Sequence, residues 1–217
     1  MAGFKRHVDI ASISDLTVAR LSVYLRCVDR LMELGVETVS SQELAHRFNL
    51  NSAQIRKDLA YFGDFGVRGV GYNVRELRRH VIEILGLDRE RRLVIVGAGN
   101  LGTALCHYSG FSGGSFLVVA MLDSDPNKIG QPTPGGLLVE DASRLAEIVL
   151  KREAAIGVIT TPAASAQAVC NRMIDAGLRA ILNFAPTRVR SSQGVVVKTV
   201  DLKIHLEELS FFLTHSR

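Results

Sequence analysis

The sequence predicts an α/β chain of two bodies in succession: a small helical domain closed by a glycine-rich hairpin, then a doubly wound parallel sheet finished by one amphipathic helix. Three observations carry this. Arg91-Arg-Leu-Val-Ile-Val-Gly-Ala-Gly-Asn-Leu-Gly102 reads as a buried strand running into a G-x-G-x-x-G turn. That turn starts only at Gly97, whereas a simple dinucleotide enzyme usually carries it near its start, so the residues ahead of it must form something else. From Leu93 onward apolar strands alternate with helices, the pattern of a parallel sheet with right-handed crossovers.

The chain has 217 residues, 47% hydrophobic and 22% charged, enough for one large or two small domains with an ordinary core. No apolar run reaches the roughly 18 residues of a membrane span. The opening Met-Ala-Gly-Phe-Lys-Arg-His-Val-Asp-Ile lacks the apolar stretch of a secretion signal, so a cytoplasmic protein is expected. Cys27, Cys106 and Cys170 are odd in number and lack C-x-x-C spacing, which indicates neither a disulfide framework nor a metal site. The net charge is +4, and the stretch from Arg47 to Arg79 holds seven basic residues against three acidic ones, which equals the whole excess. Such a concentration is the electrostatic footprint expected for a polyphosphate partner, although a solvated basic face is also common.

In chain order, Asp15 to Leu34 forms a helix with two apolar faces, Leu16-Val23-Cys27-Leu34 and Leu21-Leu25-Val28-Met32, separated by a polar stripe of Ser22, Arg26, Asp29 and Glu33. A helix apolar on both sides packs against two bodies. Ser40 and Glu43 have the spacing of a capping box opening a short helix. Asn49 to Asn51 make a tight turn, and Asn51 or Ser52 caps the next helix, giving a helix-turn-helix.

On that second helix Ile55, Leu59 and Phe62 face the core, Ala53, Lys57, Ala60 and Tyr61 lie opposite, and Gln54 and Arg56 sit on the flanks. Small residues beside amide and cationic tips suit a helix that enters a DNA groove; an ordinary solvated surface is the plain alternative. Gly63 to Asn73 has four glycines interleaved with Phe65, Val67, Val70 and Tyr72, as a short twisted hairpin requires. The two together make a winged helix, with Arg68 and Gly69 at the wing tip where a phosphate or minor groove is reached. Candidate DNA-binding residues are thus Ser52, Ala53, Gln54, Arg56, Lys57, Tyr61, Arg68 and Gly69. A polar helix from Val74 to Leu85 then leads to a linker, Gly86 to Arg92.

The sheet region is read as strands Leu93–Val96, Phe116–Leu122, Ala155–Ile159, Arg179–Phe184 and Val195–Val200, with helices Asn100–Tyr108, Ala142–Lys151 and Ala163–Ala176. The glycine turn follows a strand and opens a helix, and the second strand ends in Asp123, 21 residues beyond Gly102. Gly97 permits the tight turn, Gly99 lets the backbone approach a pyrophosphate, and Gly102 allows close helix–strand packing. The candidate cofactor cradle is Gly97, Ala98, Gly99, Asn100, Leu101 and Gly102, with Thr161 facing the same crevice unless Thr160-Thr161-Pro162 is only a helix start. Asp123 is placed to accept from adenine-ribose hydroxyls and to repel a 2′-phosphate, which favours NAD(H) over NADP(H). The last helix, Asp201 to Thr214, is apolar on two sides: Leu202, Leu206, Leu209 and Leu213 against Ile204 and Phe211. Burial in a second subunit is the simplest cover, and helix-turn-helix proteins favour two-fold dimers on palindromes. The domains are therefore 1–86, a winged-helix DNA-binding domain; 87–200, a Rossmann NAD(H)-binding domain; and 201–217, a dimerisation helix exchanged between subunits.

Ile-Arg-Lys-Asp-Leu-Ala-Tyr-Phe-Gly (55–63), Gly-Val-Arg-Gly-Val-Gly-Tyr (66–72), Gly-Ala-Gly-Asn-Leu-Gly (97–102), Asp-Ser-Asp-Pro-Asn-Lys-Ile-Gly (123–130), Asn-Phe-Ala-Pro (183–186) and Val-Asp-Leu (200–202) resemble the Rex family of redox-sensing transcriptional repressors, in order and over almost the whole chain. The resemblance implies a homodimer that binds double-stranded operator DNA when NADH is scarce and leaves it when NADH accumulates, with NADH and NAD⁺ as sensed ligands. It also implies a switch network in which Arg26 of Tyr24-Leu25-Arg26 pairs with Asp201, joined by Tyr108 near the nicotinamide. The family often has an aromatic residue after that aspartate; Leu202 stands there instead. The alternative for Arg26 is an i,i+3 pair with Asp29.

The competing reading is an NAD-dependent dehydrogenase with a helical N-terminal lobe. Such enzymes need a substrate domain and a general acid or base beside the nicotinamide. Only one helix follows the sheet, and His7, His46, His80, His107, His205 and His215 show no paired arrangement, so no catalytic or metal-ligating residue is assigned. His107 reads as a helix-surface residue. A coenzyme A-binding or scaffold module would leave the winged helix without a task.

Overall fold

The computed structural model describes residues 13–111 and 114–215. The N-terminal decapeptide and His7 lie outside them. The described chain divides into two compact units between Asp88 and Arg89.

The first unit opens with α1 (Asp15–Glu33), whose start is capped by Ser14 accepting from the Thr17 N–H. Its inward stripe is Leu21, Tyr24, Val28 and Leu31, with Cys27 beside it. Only part of the two expected apolar faces meets this unit's own core. Tyr24 and Leu31 complete the i, i+3, i+7, i+10 stripe that meets the core, and Leu16, Val23, Met32 and Leu34 are exposed on the single chain. The Arg26–Asp29 pair is also overturned: Asp29 accepts from Arg78 of α4 (Val74–Leu85) at 2.6 Å, tying the two helices together.

Between them lie β1 (Thr38–Val39), α2 (Ser41–Phe48), α3 (Ser52–Phe62), β2 (Gly66–Val67) and β3 (Gly71–Asn73). Ser40 accepts from the Glu43 N–H at 3.0 Å, and Asn51 rather than Ser52 caps α3 by accepting from the Gln54 N–H at 3.0 Å. Asn49 takes the left-handed conformation that ends α2. The glycine-rich hairpin forms as β2 and β3, and β1 joins it in an antiparallel sheet of order β1-β3-β2. Two residues are too few to show alternation, so β1 is silent in the sequence. Gly71 is required where the strands cross, since a Cβ there meets the Val39 carbonyl oxygen at 2.5 Å and its φ is +108°. Leu21, Leu31, Leu44, Ile55, Leu59, Leu77 and Val81 form one core.

Inside that core sits a fully buried carboxylate, Asp58 of α3. Arg20 grips it with Nε on Oδ2 (2.5 Å) and Nη2 on Oδ1 (2.8 Å), while the Tyr24 hydroxyl donates at 2.9 Å and the Gln54 amide at 2.7 Å. Burial pushes the Asp58 carboxyl up, but the hydrogen bonds from Arg20, Gln54 and Tyr24 and the Arg20 charge outweigh it and hold the group below its ordinary value. A carboxyl depressed in the folded state adds stability that is complete above its unfolded value of about 3.9 and disappears as pH falls through the lower folded value. Arg20→Ala is therefore expected to lower unfolding free energy by about 3 kcal/mol near neutral pH in urea titrations, by leaving a buried charge short of its main partner. The difference from wild type should shrink in acid below about pH 4. An unchanged midpoint at neutral pH would contradict the assignment.

The second unit is a six-stranded sheet of order β6-β5-β4-β7-β8-β9, every neighbouring pair parallel. Its strands are β4 (Arg91–Val96), β5 (Phe116–Asp123), β6 (Val139–Asp141), β7 (Ile156–Ile159), β8 (Ala180–Asn183) and β9 (Val196–Thr199). Numbered within the sheet this is 3-2-1-4-5-6, the doubly wound Rossmann order. β4 begins two residues inside the expected linker. β6 was not foreseen, being three residues long and ending in two acids. The helices are α5 (Asn100–Cys106), α6 (Leu145–Lys151), α7 (Ala163–Asp175) and α8 (Leu202–His215). α5 stops two residues short of Tyr108, and the helix expected from Ala142 begins as a 3₁₀ turn, Ala142–Arg144, capped by Asp141. Val94 and Val96 point to a core with Leu122, Ile148 and Met173, and Leu93 and Ile95 to one with Met121 and Val158, so β4 is buried on both faces. No residue of α8 is buried. Among the described residues no helix is long and apolar enough to cross a membrane, and no group of three or more His, Cys, Asp or Glu is placed to hold a metal.

Candidate functional site

In the second unit Val96 of β4 lies level with Leu122 of β5 and Ile159 of β7. Gly97, Asp123 and Thr160 therefore leave the sheet at the same carboxyl edge, where the strand order reverses and open α/β sheets hold their ligands. Gly97 takes φ +114°, and a Cβ on it meets the Thr160 backbone at 2.8 Å. Its N–H donates to the Leu122 carbonyl at 2.7 Å, and its carbonyl accepts from Thr160 Oγ1 at 2.7 Å. Gly102, one turn into α5, is pressed so closely on this loop that a Cβ collides with the Gly97 carbonyl oxygen. Gly99 caps α5 without any side-chain hydrogen bond, and a Cβ there meets nothing within 4 Å. Asn100 and Leu101 form the exposed first turn. The three glycines thus separate as the spacing suggests: two by packing, and one open toward the crevice.

The Asp123 side chain accepts from three groups of its own chain: Ala98 N–H on Oδ2 at 2.7 Å, Lys128 Nζ on Oδ2 at 2.9 Å, and Asp125 N–H on Oδ1 at 2.9 Å. Burial pushes its carboxyl up, and these donors together with the Lys128 charge outweigh burial and lower it. The Ala98 N–H is thus turned onto the carboxylate, and Asp123 is held by three donors of its own chain. A carboxylate oxygen has two acceptor sites, so Oδ1 keeps one for a hydroxyl. Thr161 Oγ1 is buried without a hydrogen-bond partner among the described residues. An orphaned hydroxyl of this kind costs about 1–3 kcal/mol unless a ligand satisfies it. Together with the open cradle at Gly99, it makes the crevice fit a dinucleotide.

Tyr108 lies just beyond α5, 54% exposed, edge-on to Phe111 with ring centroids 5.2 Å apart. His107, just past the end of α5, is exposed as expected of a surface residue, and its Nε2 accepts from the Gly135 N–H at 3.1 Å. Asp201 Oδ1 accepts from the Lys203 N–H at the start of α8. The sequence places Thr160 at the crevice within Thr160-Thr161-Pro162, and Lys128 and the buried Asn183 within the quoted motifs, but gives none of them a role. Asn183 Oδ1 accepts from the Ala185 N–H at 3.0 Å, and its amide donates to the Thr187 carbonyl at 2.8 Å, fixing the loop after β8. The only sequence signal for it is an Asn placed before Phe-Ala-Pro.

In the first unit α3 exposes Ala53, Arg56, Lys57, Ala60 and Tyr61, with Ser52 half-buried at its start. Arg56 donates to Ser41 Oγ at 2.8 Å, which holds its guanidinium over the start of α2. Gln54 is half-buried on the flank of α3, as expected. Its amide turns inward to Asp58, four residues on, where an interior acceptor holds it. The hairpin tip is closed by the Val70 N–H donating to Val67, with Arg68 and Gly69 exposed on it. α3 and this hairpin flank a groove of about 510 Å³ lined by Arg56, Ala60, Arg68 and Gly69 among others. Arg26 is exposed on α1.

Two family descriptions match the chain: a putative DNA-binding protein N-terminus over residues 12–60 and a CoA binding domain over residues 88–187. A redox-sensing transcriptional repressor Rex of Carboxydothermus hydrogenoformans is 47% identical over 211 residues, covering 97% of this chain and 98% of that protein. The Rex of Streptomyces coelicolor is 47% identical over 199 residues, covering 92% of this chain and 77% of its own length. The solved structure of RSP in complex with β-NAD⁺ and operator DNA superposes with a TM-score of 0.90 at 33% identity, over 94% of each chain. RSP in complex with β-NADH gives 0.84 at 31% identity, covering 94% of this chain and 96% of that one.

Proposed function

Because the chain belongs to the Rex family of redox-sensing transcriptional repressors, we propose that it binds a palindromic operator through the first unit and is released when the sheet unit takes up NADH. It is a regulator and not an enzyme, and the dehydrogenase reading is not favoured. The observation that carries this is the presence in one chain of an exposed α3 backed by a wing and a Rossmann crevice with an orphaned hydroxyl at Thr161. The CoA-binding description matches only the sheet unit, whereas the repressor relatives match both.

Residues 1–86 form the DNA-binding domain, 87–200 the NAD(H)-binding domain, and 201–217 the helix exchanged in a homodimer. Lys57, Arg68 and Gly69 meet phosphates, while Ser52, Ala53, Gln54, Arg56 and Tyr61 face the major groove. Backbone N–H groups at Gly99, Asn100 and Leu101 hold the pyrophosphate, Asp123 Oδ1 takes a ribose hydroxyl, and Thr161 Oγ1 gains the partner it lacks. The bound dinucleotide supplies a ring that is uncharged when reduced and cationic when oxidised. Arg26, Tyr108 and Asp201 answer that difference across the dimer, and α8 carries it to the partner's first helix. Only differential affinity for two arrangements drives such a switch. The protein works in the cytoplasm, where operator and NADH meet.

The test is a mobility shift on a palindromic duplex titrated with NADH at fixed NAD⁺. Release that rises with NADH is expected, and equal weakening by NADH and NAD⁺ at matched saturation would refute the proposal. Lys57→Ala should abolish the shift without changing NADH affinity, and Asp123→Ala should do the reverse.

A further inference from the structure

We infer that Gln54 reads the operator as a hydrogen-bond acceptor, because Asp58 behind it fixes which end of its amide faces the groove. The inference rests on the repressor reading above and adds the base class recognised at one position.

Gln54 stands in the first turn of α3, the part of a recognition helix that reaches base edges. Its Nε2 donates to Asp58 Oδ1 at 2.7 Å, and Asp58 is four residues along the same helix and fully buried. Both oxygens of Asp58 also accept from Arg20, and Oδ2 takes the Tyr24 hydroxyl as well, so Asp58 is an ionised group that only accepts. An amide beside such a group has one stable orientation. Turning it over sets Oε1 against a carboxylate oxygen at hydrogen-bond distance, two acceptors with no proton between them.

The remaining amide oxygen has no partner among the described residues, and it is not among the buried unpartnered atoms, so solvent reaches it. The neighbouring long side chains, Arg56 and Lys57, can only donate. α3 therefore presents a fixed acceptor beside two donors. In the major groove an acceptor is matched by the exocyclic amines, adenine N6 and cytosine N4, whereas guanine O6 and thymine O4 set one acceptor against another. One position in each half-site should accordingly require adenine or cytosine on the contacted strand.

Operator duplexes carrying single transitions at every position, which exchange adenine with guanine and cytosine with thymine, are titrated with the full-length protein by fluorescence anisotropy. For the wild type one position per half-site should lose about tenfold in affinity when the amine is replaced by a keto group. Gln54→Met, similar in length but with only a weakly accepting thioether, should make that position nearly indifferent while the others keep their ranking. Asp58→Asn lets the amide turn over, and should relax the same position alone. A role limited to holding the helix predicts a different outcome, in which both variants weaken every duplex by one factor; that result, or retained discrimination in Gln54→Met, overturns the inference. If Asp58→Asn does not fold by circular dichroism, Gln54→Met decides, since it leaves Arg20 and Tyr24 on the carboxylate. A wild-type protein that binds no duplex refutes the repressor reading itself.

Discussion

Gly102→Ala is expected to give a repressor that NADH no longer removes from its operator. The new methyl group lands on the Gly97 carbonyl oxygen and within 2.8 Å of Thr160 Oγ1, so α5 must move away from the loop that positions it. Two of the three atoms it meets are backbone and do not yield cheaply. Displacing the start of α5 removes hydrogen bonds to a charged pyrophosphate worth about 1.5–3 kcal/mol each. Losing two of them lowers NADH affinity by roughly 10²- to 10⁴-fold. Gly99→Ala separates binding from folding, because its Cβ meets no protein atom within 4 Å and its φ of −87° suits alanine. That variant should melt like the wild type in calorimetry while still losing NADH affinity. Normal NADH affinity in both variants would mean that the glycine turn is not the cradle.

Leu206→Arg with Leu209→Arg should convert the protein to a monomer in sedimentation. α8 is 14 residues long with none buried, and it leaves Leu202, Ile204, Leu206, Leu209, Phe211 and Leu213 in solvent, Leu213 at 84% exposure. Each such side chain gains about 1.5–3 kcal/mol on full burial, so an apolar helix of this size is stable in solution only when covered. Two arginines at its centre place unpaired charges in the covered surface. In the proposed dimer a palindrome is read by two linked heads, so the monomer should lose about 10²- to 10⁴-fold in operator affinity. NADH binding at the crevice should persist, since neither residue belongs to the proposed cradle. A variant that still sediments as a dimer would place the interface elsewhere.

What was legible in the sequence was local. The G-x-G-x-x-G turn, the Ser40 and Asn51 caps, the glycine-rich wing and the apolar strands each carry their signal within a few residues, and each appears in the structure. The strands β1 and β6 carried none, because two or three residues show no period and are held by what lies beside them. The residues of α1 that meet its own unit's core were left open for a related reason. Periodicity finds apolar stripes but not which of two meets the core, and Tyr24 is drawn inward by a buried acceptor from another helix.

The sequence by itself determined the two kinds of body, their order, and the residue types at each candidate site, because helix and strand periods, caps and tight turns depend on near neighbours. Only the tertiary structure decided how those sites are held. Arg20 grips Asp58 from 38 residues away, Thr160 closes on the Gly97 loop across 63, and Ala98 turns its N–H onto Asp123 across 25. Contacts at such separation leave no periodic trace, since they are chosen by chain topology and by the requirement that every buried polar group find a partner. Asp123 is clamped by Ala98 in this way, and Gln54 is oriented by a carboxylate that Arg20 and Tyr24 hold from another helix.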